Sequence, residues 1–329
     1  MNMRTLGRTG LEVGELSLGA AFVTKGEDGF KGTLPVVRRA LELGINLADT
    51  SADYGDSEEA LGWALEEAAK PCIVSTKLGP PPGWTDFQPK DKDQLRRIVD
   101  LCLTNLRRDV IDIMMVHEPD RPGQFDWYQD DISFHGPVVD LLQELKDEGV
   151  IKHIGIGGTG VYELARLCDT GLYDVVLTAF NSSPLWRDAL THVIPVANRH
   201  DMGVFLASPT QQGWLVKKYD LDNGVRWLSP PRRAQLQAFY DFIDEIDMEL
   251  PVFCLRWALG VQGVSTVLTG PRNVAQLEQN FQAVEQGPLP EDVCSRLDEI
   301  YNMLPHRPFE EPAICRLEDP KYWGPGRVS

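Results

Sequence analysis

Four polar side chains in the first third of the sequence are of types that together can move a proton. Asp49 ends a short apolar run, and Tyr54 follows it in a turn of small residues. Lys77 and His117 each end a later apolar run. A phenol can donate or accept a proton, and an ammonium group beside it favours the ionised phenol. An imidazole can orient the oxygen of a ligand. These types therefore predict a proton-transfer site, provided that the fold brings them together.

The elements that must position these residues alternate along the chain. Continuous apolar runs predict strands at 16–19, 45–48, 72–77, 112–117, 151–156, 174–180, 204–207 and 265–268. Apolar periodicity and end signals predict helices at 33–43, 57–65, 90–107, 137–148, 161–168, 188–200, 232–247, 251–260, 273–284 and 291–303. Continuous apolar runs are typical of parallel strands that are buried on both faces. About eight strand–helix units without a separating linker predict an α/β fold, a single (β/α)8 TIM barrel.

The chain is longer than a typical barrel, and the surplus falls in a few places. Residues 1–14 predict an N-terminal hairpin. Long loops rich in Trp, Tyr, Pro and Asp follow strand 4 (118–136) and strand 7 (211–232), and a tail covers 305–329. We interpret 1–329 as one barrel domain whose long loops and tail wall a substrate pocket, because barrel sites lie at the C-terminal ends of the strands.

The same rule brings the four polar residues together. Asp49, Lys77 and His117 end three consecutive predicted strands, so they should share one rim of the barrel. A buried ammonium needs an anionic partner, and Asp49 is on the neighbouring strand. For any one residue the simpler interpretation is structural, a buried ion pair and an incidental imidazole. For four at one rim, Tyr54 included, we favour chemistry.

Composition and charge narrow the class of protein. The net charge of −17 argues against a nucleic-acid partner, which needs a basic face. The sequence has no apolar run long enough for a membrane span and no signal-peptide core at its start. Its six cysteines are scattered, with no zinc-binding spacing, and no metal site is expected. We interpret them as reduced thiols of a cytoplasmic protein.

The segments DTSADYGDSEEALGWAL, STKLG and MMVHE resemble the signature segments of the aldo-keto reductases. The resemblance extends from RTLGRTGLEVGELSLGAA to VLTGPRNVAQLEQN, and all four positions of the catalytic tetrad match in type and order. It implies hydride transfer between a nicotinamide cofactor and an aldehyde, ketone or sugar. It makes Tyr54 the proton donor, Lys77 with Asp49 the pair that tunes it, and His117 the group that orients the substrate oxygen.

The resemblance also implies binding residues. Those for the cofactor are Gly19, Ala20, Gly157, Gly158, Asn181, Ser208, Pro209, Gly270, Arg272, Gln276 and Asn280. The family usually has Ser-Asn where this chain has Gly157-Gly158, and Asn181 is a candidate substitute for the missing carboxamide contact. Arg272 favours NADP, with NAD left open. The expected substrate residues are Phe22, Trp127, Tyr128, Trp186 and Trp214.

Two alternatives to carbonyl reduction remain. One is an NAD(P)-dependent sugar dehydrogenase that works in the oxidative direction. The other belongs to a different class, a non-catalytic subunit that binds the cofactor and a protein partner. The intact tetrad argues against this second alternative. The sequence leaves the substrate, the physiological direction and the oligomeric state open.

Two local patterns carry further expectations. The glycines from Gly155 to Gly160 fit G-x-G-x-x-G, the fingerprint of a dinucleotide-binding fold. However, Asp174 begins the next predicted strand, where that fold needs an acid at the strand end, so we interpret the glycines as a loop with positive φ and close backbone approach. In the turn after Asp49, the side chains of Asp56 and Ser57 are expected to cap the following helix.

Overall fold

Parallel strands close into a barrel at the centre of the molecule. The computed structural model describes residues 1–130, 132–211, 213–223, 225 and 228–306. Ahead of the barrel, β1 (Met3–Thr5) and β2 (Glu12–Gly14) form an antiparallel pair with Met3 opposite Gly14. The barrel strands are β3 (Leu16–Gly19), β4 (Leu47–Asp49), β5 (Ile73–Leu78), β6 (Ile111–His117), β7 (Ile151–Gly158), β8 (Val175–Ala179), β9 (Gly203–Ala207) and β10 (Thr266–Thr269). The strand order β10-β3-β4-β5-β6-β7-β8-β9 confirms the predicted (β/α)8 TIM barrel.

Helices surround the barrel and cover its outer face. They are α1 (Leu34–Glu42), α2 (Ser57–Ala68), α3 (Lys92–Leu106), α4 (Pro137–Asp147), α5 (Val161–Asp169), α6 (Asp188–Thr191), α7 (Val193–Arg199), α8 (Pro230–Glu245), α9 (Leu250–Leu259), α10 (Val274–Gln286) and α11 (Glu291–Tyr301). Their apolar faces and the outward side chains of the strands form one core. A second apolar cluster includes Leu47, Ile113, Met115, Val175 and Phe205 from the strands, with Leu6 and Val13 from the N-terminal segment. No helix of the described residues is both long and apolar enough to cross a bilayer.

The strand register sets which residues share the C-terminal rim. Asp49 is paired with Ser75 on β5, Lys77 with Met115 on β6, and His117 with Gly157 on β7. Because all barrel strands are parallel, their carboxyl ends meet at one end of the barrel. The residues that end β4, β5 and β6 therefore lie at the same rim.

Two predicted helix features differ from the structure. The single helix expected at 188–200 is broken at His192 between α6 and α7. Pro195 has no amide hydrogen, and its ring would clash with the carbonyl four residues earlier, so a continuous helix is disfavoured there. The predicted side-chain cap of α2 is also wrong: Asp56 makes no capping bond, and the Ser57 hydroxyl instead donates to the carbonyl of Ala20 at 2.6 Å.

The described residues include the N-terminal end of the chain and stop at residue 306. Residues 307–329, most of the tail that the sequence suggests as a wall of the pocket, lie outside the described residues. The assignment of 1–329 to one domain remains a prediction.

The contact between α2 and α3 depends on a glycine. A Cβ atom added to Gly62 would lie 2.7 Å from the Cα of Leu106 and closer still to the carbonyl oxygen of Asn105. These are backbone atoms, which cannot rotate away. The two helices approach this closely only because position 62 has no side chain.

We predict that Gly62→Ala destabilises the protein. Overpacking costs about 1–3 kcal/mol, more than the gain of up to about 1 kcal/mol from the helix propensity of alanine. Urea denaturation should therefore give a lower free energy of unfolding. Gly123→Ala is the control, because its added methyl group meets open space. Equal stability of the two variants would show that α2 and α3 can move apart without cost.

Candidate active site

The rim of β4 and β5 holds a buried ion pair. The Nζ of Lys77 donates to Oδ1 of Asp49 at 2.5 Å and to the carbonyl oxygen of Thr50 at 2.6 Å. The hydroxyl of Ser75 donates to the second carboxylate oxygen of Asp49 at 2.8 Å. The side chain of Lys77 is only 1 % exposed, so its charge depends on these partners. The Nζ lies 5.0 Å from the ring centroid of Tyr54, which places the cation beside the phenol.

The imidazole at the end of β6 also reaches this phenol. The hydroxyl of Tyr54 lies 3.5 Å from Nε2 of His117, and the two rings meet edge to face at 74°. The carbonyl oxygen of His117 accepts a hydrogen bond of 3.0 Å from the indole N–H of Trp127, in the loop after β6. A ligand oxygen placed between Tyr54 and His117 could contact both groups.

The turn that carries Tyr54 is tied to the neighbouring strand. The amide of Thr50 donates to the carbonyl of Ser75 at 2.9 Å, and the amide of Ala52 donates to the carbonyl of Lys77 at 3.2 Å. The amide of Tyr54 then closes a turn on the carbonyl of Ser51 at 3.1 Å. These bonds place the phenol of Tyr54 close to both Lys77 and His117.

A carboxylate that the sequence analysis did not single out completes this cluster. Oδ2 of Asp53 lies 3.1 Å from Nδ1 of His117, and the Ser51 hydroxyl lies 3.3 Å from the same nitrogen. Burial disfavours the imidazolium, but the charge and hydrogen bond of Asp53 outweigh burial, so the pKa of His117 is raised. Burial also opposes the charge of Asp53, but His117 outweighs it and the pKa of Asp53 is lowered. One feature of the sequence could have indicated Asp53 as a site residue: it directly precedes Tyr54.

A cavity of about 540 Å³ runs from this cluster across the mouth of the barrel. All four tetrad residues line it, together with the following predicted cofactor residues: Gly19, Ala20, Gly157, Gly158, Ser208, Pro209, Gly270, Arg272, Gln276 and Asn280. Further wall residues that the sequence analysis did not name include Glu118, Leu177, Phe180, Val216, Pro251 and Leu255. The sequence did not predict these wall residues, because only the tertiary fold determines which side chains of their segments face the cavity.

The far end of the cavity has the features of an anion site. Arg272 immediately precedes α10, and its guanidinium lies 4.4 Å from the ring centroid of Phe22. The amide of Arg272 donates to Oε1 of Gln276 at 2.8 Å, and Asn273 caps α10 through its side chain. A cavity that is lined both by a proton-transfer cluster and by a cation beside a helix N-terminus fits a dinucleotide.

The second of the two glycines that end β7 makes room for protein atoms. A Cβ atom on Gly158 would lie 2.6 Å from Cγ of Asp120, whose Oδ2 accepts hydrogen bonds from the amides of Thr159 at 3.0 Å and Gly160 at 2.5 Å. The expected close approach is therefore present. The expected positive φ is not: Gly160 has a φ of −85°, and Gly155, Gly157 and Gly158 also lie outside the left-handed region.

Asn181 does not reach the cavity wall. It is buried, and its side-chain amide donates to the carbonyl of Thr159. The structure therefore does not support its predicted contact with the cofactor carboxamide. Through this hydrogen bond, Asn181 instead anchors the loop after β7.

The predicted substrate residues separate into two groups. Phe22 lines the cavity. The rings of Trp127, Tyr128, Trp186 and Trp214 are no more than 5 % exposed and lie away from the wall. The hydroxyl of Tyr128 lies 2.9 Å from that of Tyr173, and the two indoles of Trp186 and Trp214 meet edge to face. Their large apolar area is used in packing, so these four support the loops instead of facing a ligand.

The chain is similar to several known proteins. Residues 15–302 match the Aldo/keto reductase family. The chain is 30 % identical to L-galactose dehydrogenase from Arabidopsis thaliana, over 87 % of this chain and 89 % of that protein. It is 22 % identical to a probable voltage-gated potassium channel subunit beta from the same plant, over 94 % and 99 % of the two chains. The fold is similar to a solved aldo-keto reductase from Bacillus halodurans, with a TM-score of 0.72, 23 % identity and coverage of 91 % and 96 %.

We predict that Lys77→Met destabilises the protein by about 3–5 kcal/mol, because it leaves the carboxylate of Asp49 buried without its cation. The double variant Lys77→Met with Asp49→Asn removes both charges and should recover much of this loss. Denaturant unfolding of the wild type, both single variants and the double variant gives the coupling energy. Additive effects would mean that the two side chains do not depend on each other.

Proposed function

Because this chain belongs to the aldo/keto reductase family of oxidoreductases, we propose that it transfers a hydride between a nicotinamide cofactor and an aldehyde, ketone or sugar. The observation that carries the proposal is the convergence of Asp49, Tyr54, Lys77 and His117 at one end of a cavity with a cationic far end. When bound, the nicotinamide supplies or accepts the hydride. The residues of the chain bind, orient and move the proton.

In reduction, the hydroxyl of Tyr54 donates its proton to the carbonyl oxygen of the substrate. The ammonium of Lys77, held by Asp49, stabilises the phenolate that remains. Nε2 of His117 orients the same oxygen from the other side. In oxidation, the phenolate of Tyr54 takes the proton from the alcohol.

The cofactor proposed is NADP. Arg272 supports this choice, because it is exposed at the far end of the cavity and can pair with a 2′-phosphate. The neutral Gln276 beside it leaves Arg272 as the cation on which the preference rests.

A second candidate is oxidation of a sugar. The similarity to L-galactose dehydrogenase favours it. Partly apolar walls of Phe22, Phe180 and Val216 suit the apolar face of a sugar ring, and the carboxylate of Glu118 can accept hydrogen bonds from hydroxyl groups.

A third candidate, from another class, is a cofactor-binding subunit without turnover. The similarity to a probable potassium channel subunit beta suggests this candidate, and the complete tetrad argues against it.

The proposed location is the cytoplasm, because the scattered cysteines are consistent with a cytoplasmic protein.

One assay separates the three candidates. Quenching of intrinsic tryptophan fluorescence first measures the binding of NADPH and NADH. A panel of aldehydes, ketones and aldoses is then tested with each reduced cofactor, and aldoses are tested with each oxidised cofactor. Binding without turnover on every substrate would favour the subunit and contradict the proposed function.

We predict that Tyr54→Phe lowers kcat by about 10²–10⁴-fold, the usual contribution of a general acid. Cofactor affinity should be unchanged, since the ring remains. Tyr162→Phe is the control, because Tyr162 is 65 % exposed on α5 and lies off the cavity wall. Turnover by Tyr54→Phe at the rate of this control would remove Tyr54 from the proposed mechanism.

We predict that Arg272→Gln weakens the binding of NADPH by about tenfold or more, since hydrogen bonds to charged groups are worth about 1.5–3 kcal/mol. The affinity for NADH should change little. Arg296→Gln on α11 is the control, because Arg296 does not line the cavity. Equal loss for both cofactors would mean that Arg272 does not read the 2′-phosphate.

A further inference from the structure

The contact between Asp53 and His117 has no part in the mechanism above. Oδ2 of Asp53 faces Nδ1 of the imidazole at 3.1 Å, and Nε2 on the opposite side of that ring faces Tyr54 at 3.5 Å. The carboxylate of Asp53 therefore contacts the imidazole of His117, which in turn contacts the hydroxyl of Tyr54, the proposed proton donor. Asp53 and Tyr54 are consecutive in the chain, so one short turn supplies both the carboxylate and the phenol.

The surroundings of Asp53 make this contact its main polar interaction. Its Oδ1 is buried and has no hydrogen-bond partner among the described residues, whereas Oδ2 contacts His117. The side chain of Ser51 also hydrogen-bonds the carboxylate, which is 26 % exposed. Gly79 approaches from behind, where an added Cβ atom would already touch Cγ of Asp53 at 3.4 Å. The imidazole is 5 % exposed, so water contributes little to its solvation.

We propose that Asp53 is a positioning residue that holds His117 with Nδ1–H directed at the carboxylate and stabilises the imidazolium, so that Nε2–H can donate to the substrate oxygen. This proposal rests on the proposed function. A neutral imidazole that gives its one hydrogen to Asp53 has only a lone pair at Nε2. The protonated form donates from both nitrogens, so it can keep its bond to Asp53 while it donates to a carbonyl oxygen.

The charged groups around the ring determine the balance. Asp53 and Glu118 favour the imidazolium, and Lys77 on β5 opposes it. Asp49 is paired with this Lys77 at 2.5 Å. Glu58 interacts with Asp53 from α2, and β7 presents Gly157, which has no charge, opposite His117. The direct contact of Asp53 exceeds the others, which is why the pKa of His117 is raised in spite of burial.

The arrangement makes the reduction depend on pH. In reduction, the hydride of the reduced nicotinamide forms the new C–H bond, and the O–H bond of Tyr54 breaks as the carbonyl oxygen takes its proton. His117 donates only a hydrogen bond and keeps its proton. When pH rises through the raised pKa of His117, the Nε2 proton is lost and the remaining lone pair opposes the carbonyl oxygen.

The first test is independent of turnover. The imidazole signals of the protein are titrated by NMR, and His117 is assigned by their loss in His117→Gln. In the wild type the midpoint should lie above the ordinary value of about 6.5. Asp53→Asn should lower it by roughly 1–3 units, the usual effect of a nearby opposite charge. Asp56→Asn is the matched control, since it removes the same charge from the same turn but accepts from the amide of Lys25 at 3.2 Å, away from the ring.

The second test is the pH profile of reduction. The fall in kcat at high pH should move to lower pH in Asp53→Asn and stay in place in Asp56→Asn. A wild-type midpoint at or below about 6.5, or no shift in Asp53→Asn, would overturn the proposal. A shifted NMR midpoint with an unmoved kinetic limb would overturn the link to the reaction. If Asp53→Asn does not fold, the wild-type midpoint decides. Absence of turnover in the wild type would contradict the proposed function, while the titration still decides whether Asp53 holds His117.

Discussion

The buried ion pair of Lys77 and Asp49 is the interaction on which the rest of the site depends. Neither charge could stay in this location alone, because desolvation of an unpaired ion costs several kcal/mol. Their contact of 2.5 Å requires that β4 and β5 keep their register, since a shift by one residue would turn either side chain to the other face of the barrel. The pair therefore couples the folding of the barrel rim to the presence of a cation beside Tyr54.

A second pair balances the charges of the first beside the same phenol. Asp53 is paired with His117, whose Nε2 lies 3.5 Å from the hydroxyl of Tyr54, and Asp49 is paired with Lys77, whose Nζ lies 5.0 Å from the ring centroid. With His117 protonated, the two cations and two carboxylates sum to zero charge. A site of this kind places two positive and two negative charges near the hydroxyl of Tyr54 without leaving a net charge buried in the barrel mouth.

Features that depend on local patterns could be predicted from the sequence, and features that depend on tertiary contact could not. The strands and the tetrad follow from apolar runs and from the residues that end them. The bonding of Ser57 was missed because a capping signal competes with partners elsewhere in the fold. The helix break at His192 was missed although Pro195, a local signal, marks it in the sequence. The indole of Trp127 was expected to face a ligand, yet its N–H binds the carbonyl of His117, and ring type alone cannot distinguish wall from support. The roles of Asp53 and Asp120 depend on side-chain directions that sequence spacing does not give.

The contact of Asp120 with Gly158 has a consequence for how this chain can change during evolution. Any larger residue at position 158 would collide with the carboxylate while Asp120 is present. Loss of Asp120 first would leave the amides of Thr159 and Gly160 without their acceptor, at about 1–3 kcal/mol for each unsatisfied buried group. Each single substitution is thus disfavoured, and the paired change is neutral only where the new residue at 158 supplies an acceptor to these amides. The two positions should covary among descendants of this sequence, and the glycine should persist wherever the aspartate does.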